Sequence, residues 1–335
     1  MCLKQTKWRA PEHATLPDFI IGGAMKSGTT SLHAILNQHP DVFIPKDELH
    51  FFDMDNFVQH PLFNVFKQGR WYTHNLAELP DFYWKWYSSH FQSAAQGQLI
   101  GEDSTTYLAS PFAAKRIAVQ NKDIKVILML RHPTARAYSH YWHMVKAGRA
   151  MFNFEDTLRF LPHNILGRSA YLSQLQSLFS YLPKAQVKVL VFEEFLADKA
   201  NTIKGVCDFL SLDYAKLPSS ALGIHANQAR IPRFIPLHLL KSRLFQGSGH
   251  YQHVKRFPSD MFKSEKRNKS SLILDRLYGA INPLVVGNPP QIQPETKRFL
   301  DDYFYRELQG LNELLGKNIL STWFDERNTG QVFDL

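Results

Sequence analysis

Residues 17–31, PDFIIGGAMKSGTTS, narrow the possible folds of this chain more than any other stretch. Phe19, Ile20 and Ile21 are strand formers without polar alternation, the pattern of a parallel strand covered on both faces. Gly22 and Gly23 then let the backbone turn where a Cβ would obstruct it, and Lys26 to Ser31 lead into SLHAILNQH, whose Leu32, Ile35 and Leu36 have helical spacing. A strand, a glycine turn and a helix N-terminus present unpaired N–H groups and a partial positive charge to an anion, to which Lys26 adds a full charge. Gly23, Gly28 and Thr30 fit the Gly-x4-Gly-x-Thr skeleton of a nucleoside-triphosphate loop, yet the usual lysine position holds Thr29. The lysine stands three residues earlier, inside the bend, near the bridge between a terminal phosphate and the group attached to it. An ordinary βα turn with a surface lysine is the alternative.

Lys26-Ser27-Gly28-Thr29-Thr30-Ser31 after an apolar strand resembles the 5′-phosphosulfate loop of sulfotransferases, enzymes that use 3′-phosphoadenosine 5′-phosphosulfate. The resemblance implies that these six residues hold the 5′-phosphate, with Lys26 on the oxygen bridging phosphate and sulfate, and that adenosine 3′,5′-bisphosphate is the product. A second stretch, KDELHFFD, interleaves Lys46, Glu48, His50 and Asp53 with Leu49, Phe51 and Phe52, and a carboxylate in such a partly dry wall suits a general base. It resembles the segment after the first helix in the heparan sulfate sulfotransferase branch. That likeness implies Glu48 as the catalytic base and His50 and Asp53 as acceptor-site residues, His50 being also a catalytic candidate.

In DIKVILMLRHPTARAYSHYWHMVKAG, Lys125 to Leu130 read as a buried parallel strand, Arg131 stands at its carboxyl end, and Pro133 opens a helix carrying Ser139 and His143. Ligands of open α/β sheets collect at strand carboxyl ends, so Arg131 is expected in the same crevice as Lys26. Its planar fork suits phosphate oxygens. Arg131 and Ser139 resemble the 3′-phosphate motif of the same enzymes, and His143 matches an active-site histidine of the N-sulfotransferase members. A histidine packed on the helix face is the alternative for His143.

Elsewhere the aromatic stretch 71–91, WYTHNLAELPDFYWKWYSSHF, suggests an acceptor wall that includes Arg70 and Lys85 as a group, while core packing is the favoured role for any single ring. Asp103 in LIGEDSTTYL occupies a position that often holds a glycan-binding lysine in the resembled branch, which turns the expected acceptor toward a small molecule. VKVLVFEEF predicts a further strand followed by a helix from about Asp198 to Leu210, and residues 294–325 predict one final helix with Phe299, Leu300, Tyr303, Phe304 and Leu308 on one side.

With 335 residues and 44% hydrophobic content the chain can bury a substantial core, and its net charge of +9 suits an anionic ligand. Cys2 and Cys207 are too few for a disulfide framework, no Cys or His cluster has metal-ligand spacing, and no apolar run approaches the roughly 20 residues of a membrane span. The expectation is a cytoplasmic α/β enzyme with a mainly parallel sheet and helices on both faces, of the P-loop-like sulfotransferase type. A loose segment 1–16 precedes a single domain 17–328, within which 225–295 is a variable basic lid-like region carrying Arg230, Arg233, Lys263, Lys266, Arg267 and Lys269. The expected reaction moves a sulfuryl group to a hydroxyl, less favourably an amine, of a secondary metabolite or carbohydrate, without metal, nucleic acid or membrane span. A P-loop kinase and a basic nucleic-acid-binding protein are the rival readings.

Overall fold

The computed structural model describes residues 7–67, 69–224, 229–244 and 276–324. Its strands are β1 (Phe19–Gly23), β2 (Val42–Phe43), β3 (Val65–Lys67), β4 (Arg70–Tyr72), β5 (Leu99–Asp103), β6 (Lys125–Leu130), β7 (Val187–Val191), β8 (Arg230–Pro232) and β9 (Leu284–Val286). Five of them form one parallel sheet in the order β2-β5-β1-β6-β7, while β3 pairs with β4 and β8 with β9 in two antiparallel two-stranded sheets.

Alternation along the central strands shows why the apolar runs are continuous. Ile20, Val126, Leu128 and Leu130 join one core, with Ala137, Tyr141 and Val145 of the Pro133–Lys146 helix and Leu300 and Phe304 of the Pro294–Glu307 helix. Phe19, Ile21, Ile127 and Met129 join the other, with Leu32, Ile35 and Leu36 of the Thr29–Leu36 helix and Ile203, Val206 and Leu210 of the Lys199–Leu210 helix. Both faces are therefore covered by helices, as a parallel sheet requires.

β1 lies between β5 and β6, so the chain leaves it in opposite directions on its two sides. At such a switch point the loops beyond the carboxyl ends part and leave a crevice. Register aligns Ile21 with Asp103 and with Ile127, bringing the turns after β1, β5 and β6 to the same rim.

The last expected helix is three. Pro294–Glu307, Leu311–Leu315 and Leu320–Trp323 are separated at Gly310 (φ +95°) and Gly316 (φ +64°), left-handed conformations that stop a helix at little steric cost. Leu300, Phe304 and Leu308 are buried as expected, whereas Phe299 is exposed. Cys207 is a buried free thiol, and no described helix is long and apolar enough to cross a membrane.

Candidate functional site

The turn after β1 is shaped by two left-handed residues, Lys26 (φ 71°) and Gly28 (φ 93°). The Thr29–Leu36 helix starts there without a side-chain cap, and the Thr29 and Thr30 amides have no partner among the described residues. Successive free amides in such a turn form a concave anion nest. Gly28 is required twice over, since a Cβ there would lie 2.6 Å from Phe192 Cδ2 and the backbone φ is left-handed. Gly28→Ala is expected to cost about 1–3 kcal/mol in chemical denaturation. An unchanged midpoint would show that Phe192 yields freely.

Arg131 follows β6 and reaches back to this turn. Its Nη1 donates to the Lys26 carbonyl at 3.2 Å, and its guanidinium lies 4.9 Å from the centre of the Phe192 ring. The helix behind it begins under a carboxylate: Glu193 accepts from the His132 amide at 2.9 Å and from Trp323 Nε1 at 2.9 Å. That is an architectural role.

Opposite the turn, the 48–53 segment is held by four consecutive hydroxyl side chains after β5. Ser104 Oγ accepts from the His50 amide at 2.8 Å, and Thr105 Oγ1 donates to Glu48 Oε2 at 2.8 Å. Thr106 Oγ1 meets His50 Nδ1 at 3.0 Å, and Tyr107 Oη accepts from the Phe52 amide at 2.9 Å. Glu102 anchors the group, accepting from Ser104 Oγ at 2.7 Å and from Tyr107 Oη at 2.5 Å. His50 Nε2 completes the arrangement at 3.2 Å from Glu48 Oε2, leaving the Glu48 side chain 35% exposed toward the opening.

Lys26, Gly28, Thr29, Thr30, Ser31, Glu48, His50, Arg131, Ser139 and His143 all line one open cleft of about 1980 Å³. Single-ligand pockets usually measure roughly 300–1,000 Å³, so this one has room for a nucleotide and a second substrate. Two expected site residues lie elsewhere. Ser27 is fully buried beneath the turn, its amide donating to the Ala24 carbonyl at 3.2 Å. Asp53 is also fully buried, behind His60, whose Nε2 is 2.8 Å from Asp53 Oδ1. A side chain with no exposed surface cannot line an acceptor site directly.

Electrostatics make the cleft a receptor for anions. Burial lowers the Lys26 pKa, and the neighbouring Lys146 and Arg131 lower it further against the opposing pull of Glu48. Burial, Lys26, Arg149 and Lys146 push His143 down to about 4, so its imidazole is neutral at neutral pH. Burial alone would raise Glu48, but hydrogen bonds from His50 and Thr105 outweigh it and hold the carboxylate at about 2. Lysine and arginine crowded around a nest, with one carboxylate opposite, fit an anionic donor beside a base.

Other expectations changed with the packing. Tyr83, Trp84, Tyr87 and Phe91 are buried, Tyr87 stacking on Phe51 at 4.1 Å, so this part of the aromatic stretch is core; Phe63 is its neighbour that reaches the cleft. Arg70 and Lys85 are not among the cleft residues. Asp103 is buried 3.1 Å from His33 Nδ1, and burial raises its carboxyl to about 6. It faces the protein interior, so its departure from lysine removes a contact from the cleft wall without adding a negative one. Arg230 lines the cleft and Arg233 does not, while Lys263, Lys266, Arg267 and Lys269 lie outside the described residues.

The structure adds residues that spacing did not reveal. Lys146, Arg149 and Arg168 line the cleft, and none forms an ion pair with a described residue. Arg168 reaches from the Lys26 side to the His60 side, donating from Nη2 to the Gln59 carbonyl at 3.1 Å and touching Met25 Sδ at 2.8 Å. His50, Asp53 and His60 also bring potential metal-ligand atoms within 4.8 Å of one another. The residue types suit a divalent cation, although hydrogen bonds within the trio and to Glu48 and Thr106 engage their nitrogens.

Comparison with known proteins gives this geometry its context. Residues 17–216 match the sulfotransferase family. The mouse heparan sulfate glucosamine 3-O-sulfotransferase 3A1 is 29% identical over 205 residues, 59% of this chain and 46% of that protein. The human bifunctional heparan sulfate N-deacetylase/N-sulfotransferase 2 is 28% identical over 210 residues, 59% of this chain and 22% of that protein. The chain thus spans less than half the length of either relative. A sulfotransferase structure from Alicyclobacillus acidocaldarius superposes with a TM-score of 0.58 at 23% identity, covering 92% of this chain and 99% of that one, which shows the shared fold. The match of 17–216 takes in the turn after β1, the Glu48 segment and the Arg131–Ser139 helix start, and by it the chain belongs to the sulfotransferase family.

Proposed function

We propose that the chain transfers a sulfuryl group from 3′-phosphoadenosine 5′-phosphosulfate to a hydroxyl, less favourably an amine, of a carbohydrate or small metabolite. The observation that carries this is the presence of Lys26 and Glu48 in one cleft, close enough for the Glu48 carboxylate to favour the Lys26 charge, with Arg131 and Ser139 lining the same cleft. The nucleotide supplies an activated sulfuryl group on a phosphate leaving group. The free amides at Thr29 and Thr30 and the Lys26 ammonium hold its 5′ end, while Arg131 and Ser139 take the 3′-phosphate. Glu48 accepts the acceptor's proton as its oxygen bonds to sulfur, and Lys26 neutralises charge as the sulfur–oxygen bond to phosphate breaks. Neutral His143 lies in the same cleft and can share a hydrogen bond with the transferred group.

A P-loop kinase would need lysine at position 29 and an acidic strand end for magnesium, where this chain has Thr29 and Arg131. A nucleic-acid-binding protein would have no use for a carboxylate base facing a partly buried lysine across one cleft.

The acceptor reading rests on Lys146, Arg149 and Arg168. Unpaired cations beside Glu48 favour an acceptor bearing carboxylate, sulfate or phosphate, and the heparan sulfate relatives support a carbohydrate. A panel of sulfated and unsulfated glycans and hydroxylated metabolites, incubated with labelled donor and read by mass spectrometry, tests it. Sulfation confined to neutral acceptors would reject the anionic reading. The donor is tested separately by calorimetry: Arg131→Ala is expected to weaken adenosine 3′,5′-bisphosphate by about ten- to a hundredfold and adenosine 5′-monophosphate little. Equal affinity for the bisphosphate before and after substitution would remove the 3′-phosphate site.

A further inference from the structure

Behind Glu48 runs a chain of hydrogen bonds whose direction follows from its two ends, both of them carboxylates. Asp53 is fully buried, and His60 Nε2 lies 2.8 Å from its Oδ1. A carboxylate accepts hydrogen bonds and donates none, so His60 Nε2 carries the hydrogen. The same nitrogen is 3.3 Å from Thr106 Oγ1, and with its hydrogen already directed outward it can only share it with that oxygen. At the near end Glu48, also a carboxylate, can only accept from the His50 Nε2 that faces it, so a neutral His50 accepts at Nδ1 and Thr106 gives its own hydrogen there, 3.0 Å away. A neutral His50 that accepts at Nδ1 must carry its hydrogen on Nε2, which faces Glu48 Oε2 at 3.2 Å.

We propose that Thr106 and His60 are positioning residues for the transfer, anchored on buried Asp53, which fix His50 in the tautomer that donates to Glu48. With the opposite tautomer, two lone pairs would face each other across that contact, and the carboxylate would turn away or take up a proton. This rests on the reading of Glu48 as the base. It gives Asp53 a part in the site despite its lack of exposed surface: its carboxylate keeps the hydrogen of His60 on Nε2, so Thr106 accepts on that side and has its own hydrogen to give to His50. The residues are spread over three segments, with His60 stacked on Phe63 at 4.4 Å and 4.7 Å from the His50 ring, so side-chain packing also resists rotation of either imidazole. The charged and titratable groups around His50 are Glu48, Asp53, Glu102 and His60.

The experiment is long-range proton–nitrogen NMR on protein labelled with 15N-histidine, at alkaline pH where His50 is neutral, with His50→Gln and His60→Gln supplying the assignments. Both rings are expected as Nε2–H tautomers in the native protein. Thr106→Val should raise the Nδ1–H form of His50 relative to the other by about tenfold, the equivalent of one hydrogen bond, and Thr106→Ser should restore the native spectrum. Calorimetric affinity for adenosine 3′,5′-bisphosphate should not move in either variant, which separates positioning from damage to the fold. A native His50 in the Nδ1–H form, or a His50 tautomer indifferent to Thr106→Val, overturns the proposal even if the valine variant alone fails to fold in the first case. Neither result depends on turnover, so the base assignment stands or falls separately.

Discussion

Glu48→Gln is expected to lower sulfuryl transfer about 10³-fold while leaving donor affinity unchanged, within the roughly 10²–10⁴-fold range of a lost general base. Glutamine keeps the length of the side chain, and its carbonyl oxygen can still accept from Thr105, which holds Glu48 at 2.8 Å in the native protein. What it lacks is a site for the acceptor's proton. The hydrogen bonds from His50 and Thr105 that hold Glu48 at about 2 keep it ionised throughout the neutral range, at the expense of basicity. An anionic donor placed in the cleft, with water displaced, shifts the balance the other way and raises its proton affinity when it is needed. The depressed pKa also contributes stability that is fully present above the ordinary carboxylate range and is lost as pH falls toward 2. Rapid-quench single-turnover kinetics with labelled donor and the acceptor found by screening give the rate constant directly. A native rate constant in the glutamine variant would remove Glu48 as the base.

The fold was legible where burial is symmetrical. Lys125–Leu130 reads as a strand and is one because both its faces pack on helices, which makes every position apolar and leaves no rival period. The Pro133 helix start, the helix start near Asp198 and the turn around Lys26 and Gly28 were equally legible, each depending on local chemistry. By contrast, the hydroxyls of Ser104 to Tyr107 act on residues more than fifty positions earlier, and nothing in their spacing announces it. Four hydroxyl side chains in succession after a buried strand were the available signal. Arg149 and Arg168 were invisible for a different reason: arginine is ordinary on surfaces, and only tertiary packing turns these two into a cleft. Asp53 shows the reverse error. The family resemblance implied an acceptor contact for it, and packing behind His60 makes it a buried anchor.

Lys26→Ala should separate activity from stability. Transfer is expected to fall about 10²–10³-fold, the usual effect of removing one preorganised donor from a developing oxyanion. Melting temperature, however, should be unchanged or higher. The native ammonium is partly buried and crowded by Lys146 and Arg131, both of which disfavour its charge in the free protein, and the residue carries a left-handed backbone besides. A lysine whose folded pKa is lowered costs stability that is fully present below the folded pKa and fades as pH rises from the folded to the unfolded value, so deleting it relieves repulsion across the neutral range. A structural lysine would behave the other way, with activity lost because the turn collapses and the melting temperature falls with it. Differential scanning calorimetry beside single-turnover kinetics distinguishes the two, and a clear drop in melting temperature that accounts for the lost activity would reassign Lys26 from the leaving group to the scaffold. The cost has a physical origin in the work required of the site: a cation must wait unpaired at the nest so that its full charge is available when the phosphate oxygen departs. A partner carboxylate would stabilise the resting protein and spend that charge in advance.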